Sequence, residues 1–320
     1  MSPTSHHQPR VAAAIATFQR DRELERLLGC LEASEVPISS VWVADNASSE
    51  STRKICAARA ARWLPRSLNL GPGAAWNAAL SAALEEAAIT HLLVLDDDVI
   101  PSPPTLGILL DALEHSHADV AAPLLFDNNN ELWAFPEPRE QSLRAVIRRI
   151  RTPPESLTAL GSQPHPFCWA TGACMLYRRE AFARGDRFRE DFWMLGEDLE
   201  FSMRTAARSG GVFTAQAAVS HVPPPPLPGA SAVGHREKFL ALLQNLSFLA
   251  FHSPHSGHLR SYLPGNFRRY IRTEGIAPGT LWDGWCAFWY GAIARQPAGA
   301  PSGARIRARN RRPLARQITE

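Results

Sequence analysis

Three consecutive aspartates, Asp96, Asp97 and Asp98, follow the apolar run at 91–95. Adjacent carboxylates raise one another's pKa and destabilise a fold unless a positive group lies among them. Alternate residues of an extended segment point the same way, so Asp96 and Asp98 can share a face and bind one divalent cation. Oxygen ligands suit Mg²⁺ or Mn²⁺. The alternative is a strand end at which an aspartate caps the next helix, but three carboxylates together favour the metal.

Two further groups could do chemistry. Glu197 and Asp198 follow Gly196 at the start of a predicted helix, where acidic residues are favourable in any protein. A carboxylate there could also act as the general base on a reacting hydroxyl. His221 ends the last predicted strand, and a lone histidine is more often a structural residue. As an additional ligand, its imidazole would favour Mn²⁺ over Mg²⁺. The residues alone leave both interpretations of each group open.

The elements that would position these groups alternate between strands and helices. This alternation predicts an α/β fold with a mostly parallel sheet and helices on both faces. Ligands of such sheets bind at the carboxyl ends of the strands, where Asp45 and the three aspartates lie. Short apolar runs predict strands at 11–17, 41–45, 63–68, 91–95, 167–176 and 212–221. Helical spacing predicts helices at 20–33, 51–62, 74–88, 106–113, 197–208 and about 237–251.

Composition limits the class of protein. The chain has 320 residues, of which 45% are apolar and 20% charged, and this excludes a wholly disordered chain. Its five cysteines are scattered and form no Cys-x-x-Cys pair, which favours a reducing compartment. No apolar run reaches the length of a membrane span, and the polar N-terminus has no secretory leader. We therefore expect a cytoplasmic protein. Residues 127–165, rich in Asn, Pro and Arg, predict a mobile insertion.

Taken in order, these segments resemble glycosyltransferase family 2, the inverting nucleotide-sugar transferases with a GT-A fold. The resemblance spans about residues 11–222 and depends on the joint order and spacing of short motifs. These motifs are AIATFQR at 14–20, VWVADNASSEST at 41–52, LNLGPGAAWNAAL at 68–80, LLVLDDDVIPSP at 92–103, ATGACMLYRREAF at 170–182, FWMLGEDLEFSMRTAARSGG at 192–211 and SHV at 220–222. The triple aspartate and the Gly-Pro-Gly-Ala-Ala loop look most like the rhamnosyl- and galactofuranosyl-transferring branch. The Gln-x-x-Arg-Trp motif of the processive synthases does not follow Asp198, so we expect non-processive transfer.

The resemblance implies a role for individual residues. Asp198 would be the catalytic base, and Glu197 would orient it or contact the acceptor. The acceptor side would include Gly172 and Trp193. The metal ligands would be Asp96, Asp98 and His221. The nucleotide-sugar would be bound by Thr17, Arg20, Asp45, Asn69, Gly71, Asn77, Asp96 and Asp97. This chain departs from many members in one place, because it has Trp76-Asn77 where they carry Arg-Asn.

The resemblance also implies a reaction and an organisation of the chain. The reaction would be metal-dependent transfer, with Mn²⁺ or Mg²⁺, from a donor of the UDP-galactofuranose or dTDP-rhamnose type. The acceptor would be a saccharide or a lipid-linked saccharide, as in the synthesis of bacterial cell-envelope polysaccharides. We expect a disordered tail at 1–10, a GT-A catalytic domain at 11–222, a helical, aromatic-rich C-terminal extension at 223–303 and an Arg-rich tail at 304–320.

The C-terminal region allows two interpretations. Its tryptophans and Arg-rich tail could bind the anionic inner surface of the cytoplasmic membrane. Alternatively, the helices cap the core and the tail is solvated. Two rival functions also remain. A sugar-phosphate nucleotidyltransferase usually has a Gly-rich loop with Arg and Lys where this chain has Thr17-Phe18-Gln19-Arg20. A non-catalytic nucleic-acid- or membrane-binding protein would use the Arg-rich tail and leave the triple aspartate and Asp198 unexplained. We expect no nucleic-acid partner.

Overall fold

One mixed β-sheet forms the centre of the structure. The computed structural model describes residues 8–183, 185–223, 235–256, 259–275, 277–295 and 297. The strands are β1 (Val11–Thr17), β2 (Ile38–Asp45), β3 (Arg62–Pro65), β4 (His91–Asp96), β5 (Val99–Ile100), β6 (Val120–Phe126), β7 (Leu132–Ala134), β8 (Glu137–Pro138), β9 (His165–Trp169), β10 (Cys174–Arg178) and β11 (Gly211–His221). The helices are α1 (Asp21–Glu32), α2 (Glu50–Ala58), α3 (Pro72–Leu84), α4 (Thr105–Ser116), α5 (Gln141–Ile147), α6 (Pro153–Leu160), α7 (Glu197–Ser209), α8 (His235–His252), α9 (Leu263–Glu274) and α10 (Pro278–Ala292).

The strand order confirms the predicted α/β class. The order is β3-β2-β1-β4-β10-β6-β11-β9-β8, with β5 paired to β11 and β7 paired to β6. Strands β3, β2, β1 and β4 are parallel, and β6 and β11 are parallel to each other. Strand β10 runs antiparallel between β4 and β6, so these two groups of strands point the same way. The carboxyl ends of β1, β2, β4, β6 and β11 therefore lie at one edge of the sheet.

Burial on both faces explains why the central strands are apolar throughout. All seven residues of β1 are buried. Successive side chains of a strand point to opposite faces, so each face packs a different set of helices. The residues Ala12, Ala14 and Ala16 pack in the cluster that includes α3, and Val11, Ala13 and Ile15 pack in the cluster that includes α1 and α4. The predicted helices on both faces of the sheet are confirmed.

Two sequence predictions about the middle of the chain were wrong. The apolar run 167–176 forms two strands, β9 and β10, because the segment 170–173 leaves the sheet to contact α7. Phe167 and Trp169 at the end of β9 are buried, as are the first residues of β10, and hydrophobicity therefore did not mark the break. The insertion expected to be mobile at 127–165 contains β7, β8, α5 and α6, and it buries Ile147 and Ile150 in the same core as β1.

The C-terminal helices pack on the catalytic sheet. Leu246 and Leu249 of α8 lie in one buried cluster with Trp169 of β9, Phe192 and Leu199. Helix α8 also packs along α10. The helix predicted at about 237–251 is confirmed, with one to two more residues at each end.

One face of α10 is covered by neither α8 nor α9. Trp282, Trp285 and Trp289 are 65%, 54% and 47% exposed, so this row of rings faces outward. Within the described ranges no helix combines the length and apolarity that crossing a bilayer requires. The Arg-rich tail predicted at 304–320, and residues 1–7 of the predicted N-terminal tail, lie outside the described residues.

Candidate active site

Strand register brings the first group of predicted site residues together. Thr17 at the end of β1 pairs with Asp45 of β2, and Ala16 pairs with Asp96 of β4. Because these strands are parallel, all three ends lie at the carboxyl edge of the sheet, where α/β proteins bind ligands. We predicted that Asp45 and the three aspartates share this edge. The prediction is confirmed for Asp45 and Asp96, because both are paired with residues at the end of β1.

Arg20 and Thr17 bind the aspartate turn, which is formed by Asp97 and Asp98. The Thr17 hydroxyl donates to Asp97 Oδ2 at 2.7 Å. The Arg20 guanidinium donates to Asp97 Oδ1 at 2.9 Å and to Asp98 Oδ2 at 2.6 Å. Burial raises the pKa of Asp97 to about 6, although Arg20 opposes the shift. Burial and the neighbouring Asp98 and Asp97 raise the pKa of Asp96 well above its ordinary value. One arginine thus faces three carboxylates, and the cluster carries excess negative charge.

A turn, and not an extended strand, brings Asp96 and Asp98 together. Strand β4 ends at Asp96, and Asp97 and Asp98 form the turn into the short strand β5. The expected convergence of Asp96 and Asp98 is therefore present, but the alternating-strand argument for it was wrong. Strand β5 pairs with the end of β11, with His221 opposite Val99, and this pairing places the imidazole beside Asp98.

Asp96, Asp98 and His221 fit a divalent cation. One ligand atom from each lies within 4.8 Å of the others, and His221 Nε2 is 3.2 Å from Asp98 Oδ1. Asp98 Oδ1 is buried, and His221 faces it closely enough to lower the pKa of Asp98. A buried carboxylate needs positive charge beside it, and a cation shared with the imidazole would supply that charge. Two carboxylates and an imidazole are compatible with Mg²⁺ and especially with Mn²⁺.

Trp133 is a further residue of this site, and its role could not be predicted from the sequence. Its ring stacks on His221 with centroids 4.0 Å apart and an interplanar angle of 24°, while 49% of the tryptophan surface remains exposed. Trp133 lies on β7, which pairs with β6 beside β11. The stack confines the imidazole of a candidate metal ligand. No local pattern around a single tryptophan in a polar insertion predicts such a contact.

Asp198 forms the centre of a second group. Helix α7 begins at Glu197, after Leu195 and Gly196 in left-handed conformations with φ of 65° and 108°. Asp198 Oδ2 accepts the Gly172 N–H at 2.6 Å. A side chain at position 172 would overlap Asp198 Cβ and approach Oδ2 to 3.1 Å, so only glycine permits this contact. Burial raises the pKa of Asp198, and backbone donors, Gly172 first among them, oppose the shift.

Glu197 points into the protein beside Asp198. It is 3% exposed, and none of the described residues donates a hydrogen bond to its Oε2. Burial and the charge of Asp198 raise the pKa of Glu197 well above its ordinary value, which favours its protonated form near neutral pH. A Cβ on Gly73 would lie 3.2 Å from Glu197 Cγ, so a glycine in the first turn of α3 makes room for this side chain.

The loop at 69–71 meets the acceptor-side segment predicted to include Trp193. Asn69 Oδ1 accepts the Gly71 N–H at 3.0 Å. Gly71 has φ of 91°, and a Cβ there would coincide with the carbonyl oxygen of Trp193. The indole N–H of Trp193 is buried and donates to no acceptor in the part of the chain that the structure describes. Gly71 is therefore required both by its conformation and by the close approach of the two segments.

Asp45 and Asn77 both make structural hydrogen bonds. The Asp45 carboxylate accepts the N–H groups of Ala47 and Ser49 at 2.8 and 2.7 Å. Asn77 donates to the Phe188 carbonyl and to Glu190, and accepts the Phe188 N–H. Asp45 thus organises the turn after β2, and Asn77 fastens the segment 188–190.

The two groups of carboxylates face one another. Asp96 of the first group and Asp198 of the second interact electrostatically, and the charge of Asp198 contributes to the raised pKa of Asp96. The structure therefore gathers Thr17, Arg20, the three aspartates and His221 on one side, and Gly172, Glu197 and Asp198 on the other. An arrangement of this kind can hold a phosphorylated ligand at the first group and abstract a proton at the second.

Comparison with known proteins agrees with this geometry. The family model described as "Glycosyl transferase family 2" matches residues 13–185, more than half of the chain. A curated relative from Mycobacterium tuberculosis (strain CDC 1551 / Oshkosh), N-acetylglucosaminyl-diphospho-decaprenol L-rhamnosyltransferase, is 29% identical over 208 residues. That alignment covers 59% of this chain and 67% of the relative. A match to a transferase model over the sheet favours sugar transfer over the rival nucleotidyltransferase interpretation.

Solved structures share the fold. The structure of S. aureus TarS in complex with UDP-GlcNAc has a TM-score of 0.60 and 17% identity, covering 89% of this chain and 82% of TarS. GalNAc-T7 with UDP, GalNAc and Mn²⁺ has a TM-score of 0.52 and 11% identity, covering 82% of this chain and 56% of that one. At these identities the likeness concerns the fold, and it agrees with the expected GT-A architecture with C-terminal helices.

Proposed function

The chain belongs to glycosyl transferase family 2, and on that premise we propose that it transfers a sugar, with inversion, from a nucleotide-diphosphate donor to a lipid-linked saccharide. The observation that carries this proposal is the pair of facing carboxylate groups, one built around Asp98 and His221 and the other around Asp198. The first suits a diphosphate with its metal ion, and the second suits an acceptor hydroxyl. A donor of the dTDP-rhamnose type is the first choice, because the mycobacterial relative is named as an L-rhamnosyltransferase.

The donor would lie along the carboxyl edge of the sheet. We assign its nucleotide to the part of this edge formed by Thr17, Asp45, Asn69 and Gly71. Asn77 would act indirectly, because its hydrogen bonds hold the segment 188–190 in place. Asp96, Asp98 and His221 would hold Mn²⁺ or Mg²⁺, which when bound supplies positive charge to the diphosphate leaving group. Arg20 keeps Asp97 and Asp98 in place by hydrogen bonds to both.

Asp198 would remove the proton from the acceptor hydroxyl. The Gly172 N–H fixes one of its oxygens, so the carboxylate cannot rotate away from the acceptor side. Its raised pKa makes it a stronger base than an ordinary aspartate. A single displacement at the anomeric carbon needs no covalent enzyme intermediate, and a lone base is sufficient for it. Glu197, buried and favoured in its protonated form, would orient Asp198 or the acceptor, and Trp193 would contact the acceptor with its unpaired indole N–H.

Calorimetry with nucleotides tests the donor class. UDP, dTDP and GDP would each be titrated into the protein with Mn²⁺ and then with EDTA. We expect one nucleotide to bind in a metal-dependent manner, with dTDP the first choice. Transfer would then be measured from the matching nucleotide-sugar to a GlcNAc-diphospho-polyprenol. Absence of binding by all three nucleotides in the presence of Mn²⁺ would refute the proposal.

We also propose that α10 rests on a membrane, where a lipid-linked acceptor resides. Exposed Trp282, Trp285 and Trp289 form one row on α10, and the adjoining helix α9 carries the exposed Arg268. Tryptophan rings and arginines together suit the interface of an anionic bilayer. This would place the protein on the inner face of the cytoplasmic membrane. Co-sedimentation with phosphatidylglycerol vesicles should exceed that with phosphatidylcholine vesicles and fall in a W285S/W289S variant; equal sedimentation of variant and wild type would contradict the contact.

A further inference from the structure

The charges of the proposed donor site do not balance without another cation. Three aspartates face Arg20, whose guanidinium is already hydrogen-bonded to Asp97 and Asp98. A divalent metal ion offsets the remaining carboxylate charge. The diphosphate of a bound nucleotide-sugar then adds two negative charges. It gains one more when the bond to the sugar breaks and the nucleoside diphosphate is released. Sites that stabilise phosphoryl leaving groups supply Lys or Arg for this purpose.

Helix α8 presents a lysine toward this site. Residues 238, 242, 245 and 249 are spaced by one or two helical turns and share a face. Leu242 and Leu249 pack in the cluster that contains Trp169 and Leu199. Asn245 donates to the carbonyls of Met194 and Leu195, at 3.0 and 2.6 Å, directly before the turn into α7. The face that carries Lys238 is therefore the face directed at the catalytic sheet.

Two charged groups of the proposed donor site act on Lys238. It interacts electrostatically with Asp98 and with the guanidinium of Arg20. Burial, followed by the repulsion from Arg20, lowers the pKa of Lys238, and Asp98 opposes the shift. Lys238 is an exposed residue at the start of α8, on the face that Leu242 and Asn245 direct toward the turn before α7. From this position its ammonium can reach an anion that binds near Asp98.

We propose that Lys238 binds the diphosphate of the nucleotide-sugar donor and stabilises it as the leaving group. The inference rests on the proposed function and assigns the C-terminal extension a direct part in the reaction. As the acceptor oxygen bonds to the anomeric carbon of the sugar, the bond between that carbon and the diphosphate oxygen breaks. The departing oxygen keeps the electron pair and gains negative charge, while the acceptor proton passes to Asp198. A lysine ammonium, a compact charge with three donors on a flexible stem, can follow that oxygen as it departs.

Substitution tests this role. Lys238→Met should weaken binding of the preferred nucleoside diphosphate with Mn²⁺ by about 10- to 100-fold, the effect of losing one hydrogen bond to a charged group. It should lower kcat/KM at least as much. Lys238→Arg should restore most of the affinity. Lys54→Met, on the remote helix α2, removes the chain's only other lysine and should change neither quantity. The corresponding nucleoside, which lacks phosphate, should bind Lys238→Met and wild type equally.

Because the chain has two lysines, Lys54 and Lys238, chemical labelling gives an independent measurement on the wild-type protein. Reductive methylation followed by mass spectrometry would be performed with and without dTDP or UDP in the presence of Mn²⁺. The nucleotide should protect Lys238 at least several-fold and leave Lys54 unchanged. Equal labelling of Lys238 in both conditions, while calorimetry shows the nucleotide bound, would overturn the role of Lys238 alone. Wild-type protein that binds no nucleoside diphosphate would overturn the proposed function and this inference together.

Discussion

Gly172→Ala would test whether the turn 170–173 positions Asp198. The added methyl group would overlap Asp198 Cβ and lie 3.1 Å from Oδ2. Carbon atoms in contact stand about 3.5–4.0 Å apart, so the turn and the start of α7 must separate by roughly 1 Å. The present N–H to Oδ2 hydrogen bond of 2.6 Å would then be broken or badly stretched.

The expected loss follows from this displacement. A misplacement of about 1 Å at a reacting group costs about 100-fold in rate, and kcat should fall by about that factor. Overpacking should lower the free energy of unfolding by about 1–3 kcal/mol. The Gly172 N–H holds the pKa of Asp198 down, so its loss should raise that pKa further. The acidic limb of the kcat profile should therefore move to higher pH.

The assay is steady-state sugar transfer, accompanied by nucleotide calorimetry and thermal unfolding. Nucleotide affinity should stay within about twofold of wild type, because Gly172 lies on the acceptor side. Gly29→Ala is the matched control. Gly29 lies within helix α1, and the one atom that an added Cβ would approach within 4 Å is in the Arg59 guanidinium, at 3.9 Å. It should gain about 0.5–1 kcal/mol of stability and keep full activity. A folded Gly172→Ala protein with wild-type kcat would refute the argument that this glycine positions the base.

Further predictions concern the same two groups of residues. Asp198→Asn should abolish transfer, by at least about 1000-fold, and leave calorimetric nucleotide affinity nearly intact; loss of that affinity would remove Asp198 from the role of base. Burial raises the pKa of Asp198, and a general base must be ionised to act. As the pH is lowered, kcat should therefore begin to fall above the usual aspartate pKa of about 3.9. A kcat that stays constant down to that pH would contradict the raised pKa. Asp98→Ala should abolish Mn²⁺-dependent nucleotide binding in calorimetry, and unchanged affinity would disprove the metal site. Trp133→Ala should weaken Mn²⁺ binding, measured by electron paramagnetic resonance, by about three- to tenfold through loss of the ring that confines His221, and Trp133→Phe should recover it.

The fold could be predicted where local pattern and burial agree. Strands β1 and β4 are buried on both faces, so each appears as an uninterrupted apolar run of strand length. Helix α1 alternates between buried leucines and charged residues at helical spacing. The same signal failed at 167–176, because two buried strands on either side of a turn produce one continuous apolar run. In the insertion at 127–165, the elements are short and obtain their stability from contacts with the core that local sequence does not reveal.

The candidate site divides along similar lines. Asp96, Asp98, Glu197 and Asp198 lie at element ends, and their residue types alone suggested chemistry. His221 lies beside Asp98 through pairing of β5 with β11, a contact between distant parts of the chain. Residues such as Trp133 join the site only through tertiary packing. They could not be predicted because neither periodicity nor a motif distinguishes them from ordinary surface residues.

Trp76 connects the departure from the family pattern to the charge of the site. It stands where many members carry arginine, and it is 2% exposed with its ring 5.1 Å from Phe188. Its indole N–H donates to the Leu95 carbonyl at 3.0 Å, directly before Asp96, so the ring braces the peptide that carries the first aspartate. The tryptophan therefore holds the peptide before Asp96 in place but brings no positive charge, whereas an arginine at this position would bring one. The positive charge must therefore come from another element, and Lys238 of α8, whose charge interacts with those of Asp98 and Arg20, can supply it.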